Sequence, residues 1–147
     1  MEKAEVQQKL NRILAPVTVQ TDFEQAAIRA IETEVPAARV RGCYFHFTQA
    51  ICRKVQDLGL AVPYQGDPEV RRWVRRASFL ALLPEADVQD AWIDAMDDTP
   101  ELDNAQRFND YIVTTWDDDD ARFPIPLWNH HRNIGPRTNN NLEGFHY

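Results

Sequence analysis

A short β-branched run, Val17 to Thr21, ends at an aspartate, Asp22. A run of this kind before a polar residue is typical of a buried strand. Helical spacing of apolar residues then begins at Phe23 and ends before Pro36, and residues 39–45 alternate again like a strand. Strand, helix and strand in this order predict a βαβ unit with parallel strands. Asp22 would then stand at the carboxyl end of the first strand.

The rest of the chain is predicted to be mostly helical. Apolar stripes at helical spacing fall within residues 47–58, 70–80, 84–96 and 102–116, and a further amphipathic helix is expected over residues 2–15. Proline and asparagine over residues 123–141 indicate a loop, after which a final short helix begins near Asn140. A chain of 147 residues, 44% of them hydrophobic, fits one folded domain. The expected fold class is α/β and predominantly helical.

Cysteine usage and hydropathy favour an intracellular protein. The only cysteines are Cys43 and Cys52, and no apolar leader is visible at the amino terminus. The longest apolar run, Ala77 to Leu83, is far shorter than the ~20 residues that a membrane span requires. We therefore expect a soluble, reduced protein with no membrane partner.

Charge is divided unevenly along the chain, whose net charge is −7. Residues 39–76 carry eight Arg and Lys against three Asp and Glu, whereas residues 85–120 carry one Arg against thirteen acidic residues. If nucleic acid binds, the basic segment is the expected surface. Its candidate DNA-binding residues on a helix are Arg71, Arg72, Arg75 and Arg76. The alternative is that these arginines are solvated faces of a helix.

Four motifs follow one another along the chain. They are Thr21-Asp22-Phe23-Glu24, Gly42-Cys43-Tyr44-Phe45-His46, Trp116 with Trp128-Asn129, and Arg137-Thr138-Asn139-Asn140-Asn141-Leu142-Glu143. In this order, with a helical block before the last, they resemble the MULE (Mutator-like element) transposase domain of the DDE, RNase H-like superfamily. In that family a sheet holds three carboxylates, Asp, Asp and Glu, and a helical insertion separates the second from the third. The resemblance implies that Asp22 is the second Asp and Glu143 the Glu.

The resemblance also implies an organisation and an activity. Residues 1–60 would be a remnant of the RNase H-like core, residues 61–136 the helical insertion and a loop, and residues 137–147 the start of the helix that carries Glu143. The implied activity is cleavage and transfer of DNA strands in the nucleus by a transposable-element product. Mg²⁺ or Mn²⁺ would be held by Asp22 and Glu143, since carboxylates are the hard ligands that two-metal phosphoryl chemistry requires.

One member of the carboxylate triad has no counterpart in the sequence. No aspartate occurs among the residues before Asp22. We therefore expect a partial RNase H-like fold, a fragment of a longer domain or a decayed element, that is inactive alone. The alternative is a non-catalytic DNA- or protein-binding helical module, or a relic without function.

Several motif residues have a simpler structural explanation. Asp22 can be the N-cap of the helix that follows. Glu24 lies two residues on and is expected to face elsewhere on that helix as a solvated surface acid, and Glu143 can be an ordinary surface glutamate. Cys43 and His46 can form half of a zinc site completed by His130, His131 or His146, although a buried thiol and an ordering imidazole are favoured.

Polar and aromatic residues further along the chain fall into packing, DNA-contact and loop positions. Trp116 and Trp128-Asn129 are expected to serve packing and turns. Arg137 and Asn140 are candidate DNA-phosphate contacts at a helix start. The run Asp117 to Asp120 is expected to be a solvated loop, because four consecutive acids cannot all face one ion.

Overall fold

The computed structural model describes residues 18–132 together with Lys3 and Glu5. This part of the chain is mostly helical and holds one two-stranded parallel sheet, so the predominantly helical α/β class is confirmed. The candidates Arg137, Asn140 and Glu143 lie outside the described residues, as does nearly all of the helix predicted over residues 2–15. No helix in the described part of the chain has the length and apolar character that a membrane crossing needs.

The sheet pairs β1 (Thr18–Thr21) with β2 (Arg39–Gly42), and helix α1 (Gln25–Glu34) connects them. The strands run parallel, in register from Thr18 opposite Arg39 to Thr21 opposite Gly42. The predicted strand, helix and strand are therefore present. The second strand ends at Gly42 rather than at Phe45, because helix α2 (Tyr44–Asp57) begins almost at once and its apolar stripe overrides the short alternation.

A block of helices follows α2. Its members are α3 (Ala61–Gly66), α4 (Pro68–Phe79), α5 (Val88–Asp97), α6 (Ala105–Ile112) and α7 (Ile125–Trp128), with 3₁₀ turns at Leu80–Leu82 and Glu85–Asp87 and a π-helical turn at Val113–Asp117. Helices α3 and α7 were not predicted. Both are short and contain proline, which is tolerated in the first turn of a helix but reads as a loop signal in the sequence.

Aromatic rings join the βαβ unit to the helical block. We call Phe23, Phe47, Trp116, Phe123 and Trp128 the aromatic cluster. Phe47 stacks on Trp128 at 4.8 Å between ring centres, and Phe23 meets Trp116 edge-on at 4.9 Å. The Trp128 indole N–H donates to the carbonyls of Trp116 and Phe123, both at 3.1 Å. Both tryptophans are buried, as their predicted packing role requires.

The acidic run is only partly a solvated loop. Asp118 to Asp120 are exposed, but Asp117 is 6% exposed, so the prediction was wrong for that residue. Asp117 is the last residue of the π-helical turn, which carries it inward beside buried Trp116. Its Oδ1 has no hydrogen-bond partner in the described structure. Burial raises the pKa of Asp117 to about 6, and the charges of Asp118 and Asp119 act in the same direction.

We predict that Asp117→Asn stabilises the protein at pH 7.5. The unfolded carboxyl ionises near pH 3.8 and the folded one near 6, so the folded state holds a proton that the unfolded state has lost. Raising the pH through this window therefore destabilises the wild type, by roughly 1–3 kcal/mol at completion. Urea unfolding at pH 4 and pH 7.5 should show a gain from Asp117→Asn only at the higher pH. An equal effect at both pH values would contradict this assignment, and exposed Asp120→Asn should change little.

A close approach at Gly42 ties the sheet to the aromatic cluster. A Cβ added at Gly42 would overlap the ring of Phe23, which is itself held by Trp116 and Phe123. We predict that Gly42→Ala lowers the free energy of unfolding by about 1–3 kcal/mol through overpacking. Gly66→Ala is the matched control, because nothing lies within 4 Å of a Cβ there. Chemical denaturation that gave the two variants the same stability would exclude this constraint.

Candidate functional site

The carboxyl ends of the two strands meet at one edge of the sheet. Asp22 follows β1 directly, and Cys43 follows β2 as the N-cap residue of α2. The Cys43 N–H donates to the Thr21 carbonyl at 2.7 Å, which extends the parallel pairing one step beyond the strands. This bond brings Asp22 and the first turn of α2 to the same edge. Ligand sites in α/β sheets commonly lie at such an edge.

Asp22 does not cap the helix that follows it. Helix α1 begins at Gln25 and its cap residue is Glu24, whose side chain makes no capping bond either. Asp22 is exposed, and its carboxylate accepts one long hydrogen bond, 3.5 Å from Thr21 Oγ1. The N-cap explanation of Asp22 was therefore wrong, because two further residues, Phe23 and Glu24, precede the first residue of the helix. Its carboxylate is left facing solvent.

Asp22 lines a cavity of about 500 Å³, which we call the Asp22 cleft. The polar and charged groups that line it are Asp22, Glu24, Gln25, His46, Gln49, Arg53, Tyr111, Thr115 and Arg122. Phe23, Trp116 and Phe123 of the aromatic cluster also line it. The cleft therefore lies where the βαβ unit, α2 and the segment from Tyr111 to Phe123 come together.

Glu24 belongs to the cleft, although it was predicted to be a solvated acid facing elsewhere. It is exposed, as expected, but lines the same cavity as Asp22. The reason is its extended backbone, with φ −94° and ψ 111°. An extended backbone directs the Glu24 side chain differently from the helical position that the sequence predicted. The cleft thus presents two carboxylates separated by Phe23.

Two guanidinium groups line the cleft together with these carboxylates. Arg53 comes from α2 and Arg122 from the segment before α7, and neither forms an ion pair with another described residue. The Arg122 guanidinium lies 5.3 Å from the centre of the Phe123 ring, within the range of a cation–π contact. Burial raises the pKa of neighbouring Tyr111, despite the opposing charge of Arg122, so its hydroxyl stays protonated at neutral pH.

No further metal ligands join Cys43 and His46 within the described part of the chain. Cys43 is fully buried, and His46 lines the cleft with a buried Nδ1 that has no hydrogen-bond partner. The part of the chain that the structure covers contains no group of three His, Cys, Asp or Glu side chains able to hold a metal ion.

The two described histidines suggested as further zinc ligands bind backbone carbonyls. His130 Nε2–H donates to the Gly42 carbonyl at 2.7 Å, and His131 Nδ1–H donates to the Leu82 carbonyl at 3.0 Å. His146 lies outside the described residues. The geometry therefore assigns His130 and His131 to the support of the fold.

The four arginines of α4 lie apart from the Asp22 cleft. Arg71, Arg72, Arg75 and Arg76 line a separate cavity of about 350 Å³ with Pro68 and Phe79. Arg72 pairs with Glu69, and Arg76 pairs with Asp98, each at 2.8 Å. The Arg76 pair and the longer Arg39–Glu85 pair, at 3.9 Å, join the basic segment to the acidic one. The predicted charge division is thus partly neutralised in the folded chain.

The sequence contains a signal for one side of the cleft but not for the other. His46, Gln49 and Arg53 lie at i, i+3 and i+7 of α2, which places them on one helix face. Arg122 follows an acidic run and precedes a predicted loop, so nothing in its local pattern connects it with Asp22.

The cleft combines groups suited to a metal ion and to phosphate. Two exposed carboxylates are oxygen donors of the kind that Mg²⁺ takes, usually one or two with waters and phosphate oxygens completing the shell. Two guanidinium groups complement phosphate charge. Comparison of the chain with protein-family models, with curated proteins and with solved structures finds no match in any of the three sets.

Proposed function

We propose that the Asp22 cleft is the part of a DDE-type active site that carries the second aspartate, in a MULE transposase-like protein with an RNase H-like core. The observation that carries the proposal is the placement of Asp22. It is exposed, caps no helix and lies at the carboxyl end of a parallel strand, in a cleft that Arg53 and Arg122 also line. A strand end holds a carboxylate rigidly, as metal-assisted phosphoryl chemistry requires.

The proposed substrate is a DNA phosphodiester. In strand cleavage a water molecule, and in strand transfer a hydroxyl of a DNA strand end, attacks phosphorus in line. The attacking oxygen forms a new P–O bond and loses its proton, and the opposite P–O bond breaks to release the departing strand end, whose oxygen takes up a proton. Mg²⁺ or Mn²⁺ would supply Lewis acidity at the phosphate when bound. Asp22 would be its ligand, with Glu24 as a neighbouring donor and Glu143 as the further carboxylate that the family resemblance implies.

The cations of the cleft support a phosphate substrate. A site that held only a divalent cation would gain nothing from guanidinium groups, which repel it. Arg53 and Arg122 therefore favour an anion that binds together with the metal, and a phosphate diester has the matching charge and oxygen geometry. The helical block between Asp22 and residue 137 agrees in position with the insertion that the resemblance implies.

We predict that a divalent cation strengthens DNA binding through Asp22. Fluorescence anisotropy with a labelled DNA duplex should give a lower Kd in Mg²⁺ or Mn²⁺ than in EDTA at equal ionic strength. Asp22→Asn should remove most of this difference, because the neutral amide is a poor ligand for a hard cation. Binding is measured rather than DNA cleavage, because no counterpart of the first aspartate of the triad precedes Asp22 within the 147 residues.

The matched control for Asp22→Asn is Asp120→Asn. It removes the same charge from an exposed residue outside the cleft and should keep the full metal effect. A metal effect of equal size in Asp22→Asn and wild type would refute the proposed metal site.

The second candidate function is nucleic-acid binding by α4 without metal. It is favoured by Arg71 and Arg75, which have no carboxylate partner among the described residues and flank a shallow cavity beside exposed Phe79. We predict that Arg75→Glu weakens DNA binding by about tenfold at low salt if this surface is used, and reduces the salt dependence. Exposed Arg107 on α6 supplies the control Arg107→Glu. Equal losses in the two variants would indicate nonspecific charge attraction instead.

A further inference from the structure

Arg41 is a buried cation without a sufficient set of partners. It belongs to β2, and only 5% of its surface is exposed. Its Nε and Nη1 atoms are buried and make no hydrogen bond. Buried guanidinium groups are normally held by carboxylates or carbonyls, because an unpaired buried charge costs several kcal/mol. The donors of Arg41 therefore require an acceptor that the described protein groups do not supply.

Arg41 also lines a cavity of about 650 Å³, which we call the Arg41 cavity. Arg39 and Arg41 line it from β2, Glu85 from the 3₁₀ turn, and Asn129, His131 and Arg132 from the end of the helical block. It shares none of its described lining residues with the Asp22 cleft. Because alternate residues of a strand face the same side, Arg39 and Arg41 approach the cavity together.

The charges of the Arg41 cavity do not balance. Arg39, Arg41 and Arg132 contribute three positive charges, and Glu85 contributes one negative charge. Glu85 lies 3.9 Å from the Arg39 guanidinium, at the long end of an ion pair. Burial lowers the pKa of Arg41, and the positive charge of Arg39 lowers it further. The negative charge of Glu85 has the opposite effect. The cavity therefore holds crowded cations that an added anion would relieve.

Hydrogen bonds of Asn129 hold one wall of the cavity in place. Asn129 is buried, and its Nδ2 donates to the carbonyls of Leu83 at 2.7 Å and Leu80 at 3.3 Å. Its Oδ1 accepts the His131 N–H at 3.0 Å. These bonds hold the segment before Arg132 against the 3₁₀ turn Leu80–Leu82. A preformed cavity of this kind binds a ligand at a low entropic cost.

We propose that the Arg41 cavity is an anion site that binds a phosphate group, with Arg41 as its buried anchor. A phosphate offers pairs of oxygens that match the fork of a guanidinium. Its negative charge, about two for inorganic phosphate or a monoester and about one for a nucleic-acid diester, offsets the excess positive charge of the cavity. The site does not depend on the function proposed for the Asp22 cleft. The phosphate can belong to a nucleic-acid backbone or to a free phosphate compound, and both present the same oxygens to Arg41.

Inorganic phosphate is the first probe. Thermal unfolding of the 147-residue chain should show a saturable rise in Tm with phosphate, against chloride at equal ionic strength. Arg41→Met should weaken phosphate binding by about tenfold or more, because hydrogen bonds to the charged fork are lost. Without phosphate its Tm should equal or exceed that of the wild type, since an unpaired buried charge is removed. This combination separates loss of a ligand from loss of the fold.

Two further variants make the test independent of how Arg41→Met folds. Arg132→Ala, at an exposed residue of the same cavity, should also weaken phosphate binding. Arg107→Met, which removes an exposed arginine outside the cavity, should bind phosphate as the wild type does. No saturable phosphate effect in the wild type, or the same effect in Arg41→Met and Arg132→Ala as in the wild type, would overturn the proposal.

A single-stranded oligodeoxynucleotide distinguishes the two sources of phosphate. If Arg41→Met weakens both inorganic phosphate and the oligonucleotide, with Arg107→Met unchanged, the site binds a nucleic-acid phosphate. If only inorganic phosphate depends on Arg41, the ligand is a free phosphate compound. Both results support the anion site. The metal effect at Asp22 is measured separately, so either proposal can fail while the other stands.

Discussion

The contact of the Phe23 ring with the backbone of Gly42 is the constraint on which the rest of the structure depends. A two-stranded sheet is marginal by itself, so β1 and β2 persist only where a larger core holds them. Phe23 supplies that link, because its ring packs on Gly42 and against Trp116 and Phe123. It also lies between Asp22 and Glu24 in sequence. The packing that joins the sheet to the helical block therefore also positions both carboxylates.

His130 makes the second link between the same two parts of the chain. Its ring donates to the Gly42 carbonyl, and its backbone N–H donates to the Ala81 carbonyl. Both candidate sites lie between the βαβ unit and the helical block. The segment from Tyr111 to Phe123 forms one side of the Asp22 cleft, and residues from Asn129 to Arg132 form one side of the Arg41 cavity. Neither site would exist in the βαβ unit or the helical block alone.

Local pattern was sufficient for the longer elements but not for the short helices α3 and α7, nor for the sites. The β-branched run before Asp22 and the stripes through Phe47 and Trp73 predicted the strand and the helices, because periodicity reflects which side of an element is buried. Glu24 and Asp117 were misjudged because their positions depend on the last residue or two of an element, where an extended step or a π-helical turn redirects a side chain. Arg122 could not be found, since its relation to Asp22 exists only in the folded chain.

Two unpaired groups of opposite charge are buried in this fold, and they are not partners. Arg41 lines its cavity beside Glu85, whereas Asp117 lies at the end of the π-helical turn beside two further aspartates, so neither relieves the other. Stability alone would favour apolar residues of similar size at both positions. Unsatisfied buried groups concentrate where an arrangement serves binding as well as folding. The π-helical turn that buries Asp117 also sets Trp116 against the Asp22 cleft, and β2, which buries Arg41, ends at the edge where Asp22 lies. Each buried charge that lowers the stability of the fold thus belongs to an element that also forms part of a candidate site.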